Sequence, residues 1–378
     1  MRILMLNYEY PPLGGGGGVA AKKLAEGFIK LGYQVDYVTT GFNHLKKYEK
    51  IDGVNIYRVK VVGRKDLATA TISSMVSFPF LAYKKACELC KQNEYSFINT
   101  HFAVPTGPLG VWISQKYNIP NILSIHGGDI YDPSKNSSPH KKWYLKKAVK
   151  WVLNNSNYVI AQSSNTRENA LKHYKVEKDI KIIPLAYEPF EFKKINRKDL
   201  GLDEDLFYTI SIGRLVKRKG FDFLIESIAK SKNKNVHSLI IGDGPEKENL
   251  IDLAKELNVL NRIHFLGSVS EVEKFQYLQN SNVYVLSSMH EGFGIVLQEA
   301  MQVGLPIIST DNGGQIDFIK EGKNGFLVKF KDVESLVNNI NKLESDKKLN
   351  EIFSKFNEEE AKKFEISKIC KQYVGVLR

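Results

Sequence analysis

Tyr208-Thr-Ile-Ser-Ile-Gly213-Arg214-Leu-Val-Lys217-Arg218-Lys219-Gly220 is the stretch on which the fold is decided. Residues 208–212 form a short run rich in β-branched and aromatic side chains, the pattern of a buried strand. The run stops at a glycine, passes through a basic turn and enters a helical pattern after Gly220. Arg214 and Lys219 would place a forked donor and a point charge beside a helix N-terminus, a combination that suits a diphosphate. Read by itself, the same turn is more often a solvated basic loop.

Outward from this point the alternation of strand and helix continues in both directions. Strand patterns fall at 3–7, 35–39, 55–61, 97–101, 121–125, 158–161 and 180–183, then at 208–212, 237–241, 263–265, 283–286 and 306–308. Helical patterns fill most gaps, clearest at 20–31, 139–154 and 165–174. Buried strands separated by helices imply parallel sheets covered on both faces, so the expected fold is α/β with two Rossmann-like doubly wound domains. A chain of 378 residues is also too long for one typical core. The aperiodic stretch 184–198 marks the join, giving domains at 1–186 and 187–359. Ligands of such sheets bind at the carboxyl ends of the strands, so facing halves would enclose a cleft.

With 43% apolar and 25% charged residues, disorder, collagen and coiled coil are excluded. The net charge of +12 is not evenly spread. Residues 1–188 carry 26 basic and 14 acidic side chains, whereas 189–378 carry 28 of each. A positive first half points to a polyanionic partner. The three cysteines give no disulfide framework, and Cys87-Glu-Leu-Cys90 lies in a helical pattern with no second pair to complete a zinc site. The uncharged stretches 67–83 and 95–115 are broken by Ser, Thr, Pro and Gly, and neither reads as a membrane span. No signal-peptide pattern opens the sequence, so a cytoplasmic protein, soluble or peripheral, is expected.

Strand 1 runs into Tyr8-Glu-Tyr-Pro-Pro-Leu-Gly14-Gly15-Gly16-Gly17-Gly18 and then a helix. Glycines here let backbone N–H groups approach an anion. Three readings stay open: a phosphate or substrate cradle, a flexible loop, and, with Asp36 at the next strand, a dinucleotide site. In the second half three more turns share this design. Ile241-Gly242-Asp243-Gly244-Pro245 closes one strand. Ser287-Ser-Met-His-Glu291-Gly292-Phe293-Gly294-Ile-Val-Leu-Gln298-Glu299 follows another, with carboxylates suited to sugar or ribose hydroxyls and amides suited to a charged linkage. Thr310-Asp-Asn-Gly313-Gly314-Gln-Ile-Asp317 supplies the last.

Together these segments resemble the family-4 retaining glycosyltransferases of the GT-B fold. The resemblance rests on Gly213-Arg214…Lys219-Gly220, Gly242-Asp-Gly-Pro245 and Glu291-Gly-Phe-Gly…Glu299-Ala-Met…Gly304-Leu-Pro306, with two glutamates at the family's spacing. It extends to Ser124-Ile-His126-Gly-Gly-Asp129 and to a last helix, within 360–378, that crosses back to the N-terminal domain. The resemblance implies that Arg214 and Lys219 bind the donor diphosphate, supported by Gly213, Gly242 and Gly244. Glu299 would hold the ribose, and Glu291 with Gly292, Phe293 and Gly294 the transferred sugar. His126 would reach that sugar near its reacting carbon, and Gly15, Gly16 and Gly17 would face phosphate or acceptor. Departures are the missing Asn-Gly after Pro184, Gln298, and Asp317 where glutamate is usual.

The family also implies a nucleotide-sugar donor, a UDP-sugar first, and front-face attack without a protein nucleophile or metal. Asp203-Glu-Asp205 offers a DxD, but it precedes a strand and reads as a charged turn. The segment His140-Lys-Lys142-Trp143-Tyr-Leu145-Lys146-Lys147-Ala148-Val149-Lys150-Trp151-Val152 turns its apolar residues to one face at helical spacing. That leaves Lys142, Lys146, Lys147 and Lys150 around Trp143, a pattern suited to an anionic membrane surface or acceptor. Nucleic acid is disfavoured, with nine arginines and no recognition motif. The reading is a hexosyltransferase acting on a lipid-linked acceptor. Its alternatives are a soluble acceptor, a nucleotide-sugar epimerase and a dinucleotide oxidoreductase.

Overall fold

A computed structural model of the chain describes residues 1–67 and 70–378, so part of the uncharged stretch 67–83 lies outside the described residues. The chain divides into two compact units: Met1–Glu188 with Phe364–Arg378, and Pro189–Lys363.

The first unit is built on eight strands: β1 (Arg2–Leu6), β2 (Gln34–Gly41), β3 (Tyr48–Ile51), β4 (Val54–Lys60), β5 (Phe97–His101), β6 (Asn121–Ile125), β7 (Tyr158–Ala161) and β8 (Ile180–Ile182). Their order is 3-4-2-1-5-6-7-8, and every pairing is parallel except β3 with β4. Helices α1 (Gly16–Lys30), α2 (Ile72–Gln92), α3 (Gly107–Tyr117), α4 (Trp143–Asn155) and α5 (Ser164–Tyr174) lie between the strands in sequence. Helical residues cover both faces: α1 contributes Phe28 to one core, while α2 and α3 contribute Phe78 and Leu109 to another. The C-terminal helix, Ile366–Gly375, packs on α1. A Cβ at Gly27 would sit 2.5 Å from Ile366 and 2.6 Å from the Cys370 sulfur, so this close approach requires glycine.

The second unit has six parallel strands: β9 (Phe207–Ile212), β10 (Val236–Ile241), β11 (Ile263–Gly267), β12 (Val283–Leu286), β13 (Ile307–Thr310) and β14 (Gly325–Val328). The order 11-10-9-12-13-14 is doubly wound about β9, with α6 (Phe221–Lys230), α7 (Lys247–Glu256), α8 (Glu271–Gln279), α9 (Ile295–Gln302), α10 (Val333–Ser345) and α11 (Lys347–Ala361) supplying the helices. Each sheet therefore has a switch point, between β1 and β5 in one and between β9 and β12 in the other.

Several local expectations need correction. β3 and β14 carry no strand pattern of their own: one is a half-exposed Tyr-Glu-Lys-Ile edge, the other only four residues long. The helical pattern at 139–154 is not continuous. A 3-10 turn at Pro139–Lys141 ends at Lys142, which is extended, and α4 starts only at Trp143. Helix α1 begins at Gly16, earlier than the apolar period suggests, because glycines contribute no periodicity.

Candidate active site

At the second sheet's switch point the β9–α6 turn meets the loop after β12. Gly220 (φ 64°) ends the turn in a left-handed conformation, and a Cβ there would lie 2.2 Å from the Ser287 carbonyl oxygen. Ser287 Oγ in turn donates to the Lys219 carbonyl at 3.1 Å, and Met289 N–H donates to the Arg218 carbonyl at 2.8 Å. These bonds bring Lys219 and Glu291 together as a largely buried ion pair, each side chain 13% exposed. Ser288 Oγ donates to the same carboxylate oxygen at 2.9 Å. Burial works against the charge on Glu291, but Lys219, Arg218 and Ser288 outweigh it and hold the carboxyl below the usual range. Arg214 stands exposed in the turn and forms no ion pair among the described residues.

Gly242 and Gly244 occupy a supporting position. A Cβ at Gly242 (φ 135°) would come within 1.9 Å of the Gly213 carbonyl oxygen, and one at Gly244 within 2.3 Å of the Leu215 oxygen. The β10 turn is thus the floor beneath residues 213–215, and Leu215 N–H donates to Asp243 O at 2.9 Å. Gly242→Ala combines this clash with a positive φ, so it should lower stability by about 3 kcal/mol or more. Chemical denaturation measures that loss, and a change below about 0.5 kcal/mol would refute the packing account.

The loop after β12 continues into α9 through Gly294 (φ 96°). The Phe293 side chain is 4% exposed and packs edge-on to Phe318 at 4.7 Å. Its ring belongs to the core, leaving only its backbone for a ligand. Glu299 is held by Lys274 of α8 at 2.9 Å, and Lys274 also binds Glu271 at 2.8 Å. Lys274 went unnoticed in the sequence because it sits among ordinary amphipathic helix residues. Gly314 N–H donates to the Glu291 carbonyl at 2.7 Å, tying the β13 turn to the same place. Asp203 and Asp205 close a turn, with Asp205 N–H donating to Asp203 Oδ1 at 2.9 Å.

In the first unit, the loops after β1, β5 and β6 converge. Asp129 accepts from the backbone N–H of His126 at 2.8 Å and of Ala103 at 2.6 Å, joining the β5 and β6 loops. Its burial raises its pKa to about 6 despite these bonds. The His126 imidazole is pushed down to about 4 by burial, and the Gln162 side chain acts on it in the opposite sense. Separately, Gln162 Nε2 donates to the His126 backbone carbonyl at 2.6 Å. Phe102 lies over the His126 ring at 4.6 Å and has a positive φ of 71°, uncommon for a bulky residue. A Cβ at Gly17 would meet the Phe102 ring at 2.3 Å, so glycine there makes room for the aromatic ring.

In the glycine loop one N–H already has a partner within the chain. Gly16 and Gly17 lie inside the first turn of α1, and Gly15 N–H donates to the Glu9 carboxylate at 3.1 Å. The dinucleotide reading fails on geometry. Asp36 is fully buried near the start of β2, where it binds Arg2 at 2.6 Å, Tyr95 at 2.5 Å and Asn55 at 2.9 Å. On α4, Trp143 is 72% exposed with the Lys147 ammonium 5.2 Å from its ring centre, and Lys142, Lys146 and Lys150 are exposed around it. Among the described residues no helix is long and apolar enough to cross a membrane.

Comparison with known proteins identifies this arrangement. Residues 14–189 match Glycosyltransferase Family 4, and residues 192–360 match Glycosyl transferases group 1. An uncharacterised glycosyltransferase of Methanocaldococcus jannaschii is 30% identical, covering all of this chain and 98% of its own length. The chain belongs to the family-4 glycosyltransferases with the GT-B fold. N-acetyl-alpha-D-glucosaminyl L-malate synthase of Bacillus anthracis is 27% identical over 96% of this chain and 93% of its own. The crystal structure of Anabaena HepE in complex with UDP-glucose superposes with a TM-score of 0.76 at 20% identity, covering 100% of this chain and 99% of that one.

Proposed function

We propose that the protein transfers a hexose, with retention of configuration, from a UDP-sugar to a lipid-linked acceptor at an anionic membrane surface. The observation that carries the donor half is the β9 turn, where an exposed Arg214 shares the turn with Lys219 of the Lys219–Glu291 pair at a switch point. The UDP-glucose held by the similar HepE supports a uridine diphosphate donor. In the proposed reaction the acceptor hydroxyl attacks the anomeric carbon from the face the phosphate leaves. The carbon–oxygen bond to the phosphate breaks, and the departing phosphate oxygen takes the hydroxyl proton, giving UDP and the glycoside. Arg214 and Lys219 stabilise the charge that accumulates on the phosphate. Glu291 and Glu299 accept from sugar and ribose hydroxyls. No metal takes part in this scheme.

The acceptor half rests on α4, whose exposed indole and lysines suit an anionic bilayer at about 1 kcal/mol per basic residue. A second reading, transfer to a small soluble acceptor, is favoured by the malate-directed synthase that resembles this chain. A thermal-shift screen of nucleotide sugars, then product analysis with the best binder in EDTA, tests the donor half; no stabilisation by any UDP-sugar, or strict metal dependence, rejects it. Co-sedimentation with phosphatidylglycerol vesicles tests the other half. Binding at low salt that is lost in K146E/K147E/K150E is expected, and absence of binding leaves the soluble acceptor.

A further inference from the structure

Three polar side chains of the first unit stand in line, Asn99 and His101 of β5 and His126 just after β6, and the first two have no part in the scheme above. His101 Nδ1 lies 2.9 Å from His126 Nε2, and His101 Nε2 lies 2.8 Å from Asn99 Oδ1. The direction of donation along this line is set at its far end. Asn99 Nδ2 is 3.1 Å from the Ile122 carbonyl oxygen and 3.0 Å from Ser124 Oγ. A carbonyl oxygen only accepts, so the amide nitrogen must face it and the amide oxygen must face His101. That oxygen also only accepts, so His101 carries its proton on Nε2. Burial keeps the His101 ring neutral, which leaves a lone pair on Nδ1 to accept from His126 Nε2–H.

His126 then presents a bare lone pair on Nδ1. This nitrogen has no hydrogen-bond partner among the described residues, in a side chain only 9% exposed. A buried acceptor without a donor is uncommon and points to a ligand group that completes it.

We propose that Asn99 and His101 are positioning residues that lock His126 in its Nε2–H tautomer, making Nδ1 a dedicated acceptor for a sugar hydroxyl. A phosphate or carbonyl oxygen at the same spot would meet the lone pair with its own, so the lock selects hydroxyls and excludes anions. The nature of the ligand rests on the glycosyl-transfer reading; the tautomer does not.

Long-range proton–nitrogen NMR on protein labelled with 15N-histidine, one of eight such residues at a time by substitution, reads the tautomers directly. Both rings are expected to be neutral with bare Nδ1 at neutral pH. A protonated Nδ1 on His126 overturns the proposal, and this holds whether or not any sugar is transferred. In a transfer assay, His101→Leu should lower kcat/KM roughly fivefold to tenfold, the scale of one hydrogen bond. His101→Gln, whose carbonyl can still accept from Nε2–H, should recover most of it. Equal losses in the two variants would count against the lock, and if His101→Leu does not fold, the wild-type spectrum still decides. Failure of every nucleotide sugar as donor would defeat the reading of the ligand and leave the tautomer result standing.

Discussion

Arg214→Ala is expected to lower sugar transfer by about a hundredfold or more while leaving the protein as stable as before. Both halves of that statement follow from where the side chain stands. The guanidinium is exposed and unpaired among the described residues, so its loss costs the fold no more than about 0.5 kcal/mol. In the proposed reaction a forked cation at the end of β9 would find its partner in the charge that builds on a departing diphosphate. Measuring kcat and the melting temperature on the same preparation separates the two effects. Turnover near that of the unaltered enzyme would remove Arg214 from the reaction.

Lys219→Ala should behave differently, because it loses both transfer and stability. The pair with Glu291 is largely buried, and removing one member strands the other charge at a cost of about 3–5 kcal/mol. The double variant Lys219→Ala/Glu291→Ala should regain much of that stability and none of the activity. A double-mutant cycle in denaturant measures the coupling, and additive losses would mean the pair is not formed. The pair also predicts a pH response. Because the folded-state pKa of Glu291 is lowered, its contribution is present above the pKa of the unfolded chain. It is lost as pH falls through the lower folded value. The single variant Glu291→Gln should flatten that acid limb of the stability curve.

The fold was legible because its strands are short apolar runs bounded by glycine turns, and because the basic turn after β9 and Glu291 after β12 fall at strand ends, with Glu299 in the helix that follows. Tertiary pairing was not legible. Lys219 and Glu291 are separated by 72 residues, so nothing local marks them as partners. The same holds for Lys274, which reads as a surface lysine until α8 is seen beside Glu299. The glycine loop holds a contact that its composition hides. A run of five glycines advertises an open backbone, yet Glu9, six residues before Gly15, reaches its N–H. Phe293 can offer a ligand only its backbone, because its ring fills the core beside Phe318. His101 and Asn99 escaped notice because polar residues in a fully buried strand leave no periodic trace, although three of them in Phe97-Ile-Asn-Thr-His101 were themselves a signal.

The C-terminal helix has a consequence for how the protein is made. Met1–Glu188 leave the ribosome first, but the face of α1 at Gly27 and Phe28 stays uncovered until Ile366, Cys370 and Tyr373 emerge. Tyr373 also brings the hydroxyl that meets Ser124 at 3.1 Å. The second unit, made wholly of contiguous residues, can close while the first still waits for its last piece. A chain truncated after Lys363 and released should therefore yield a protease-resistant second unit and a first unit that is still cut, an order of completion opposite to the order of synthesis.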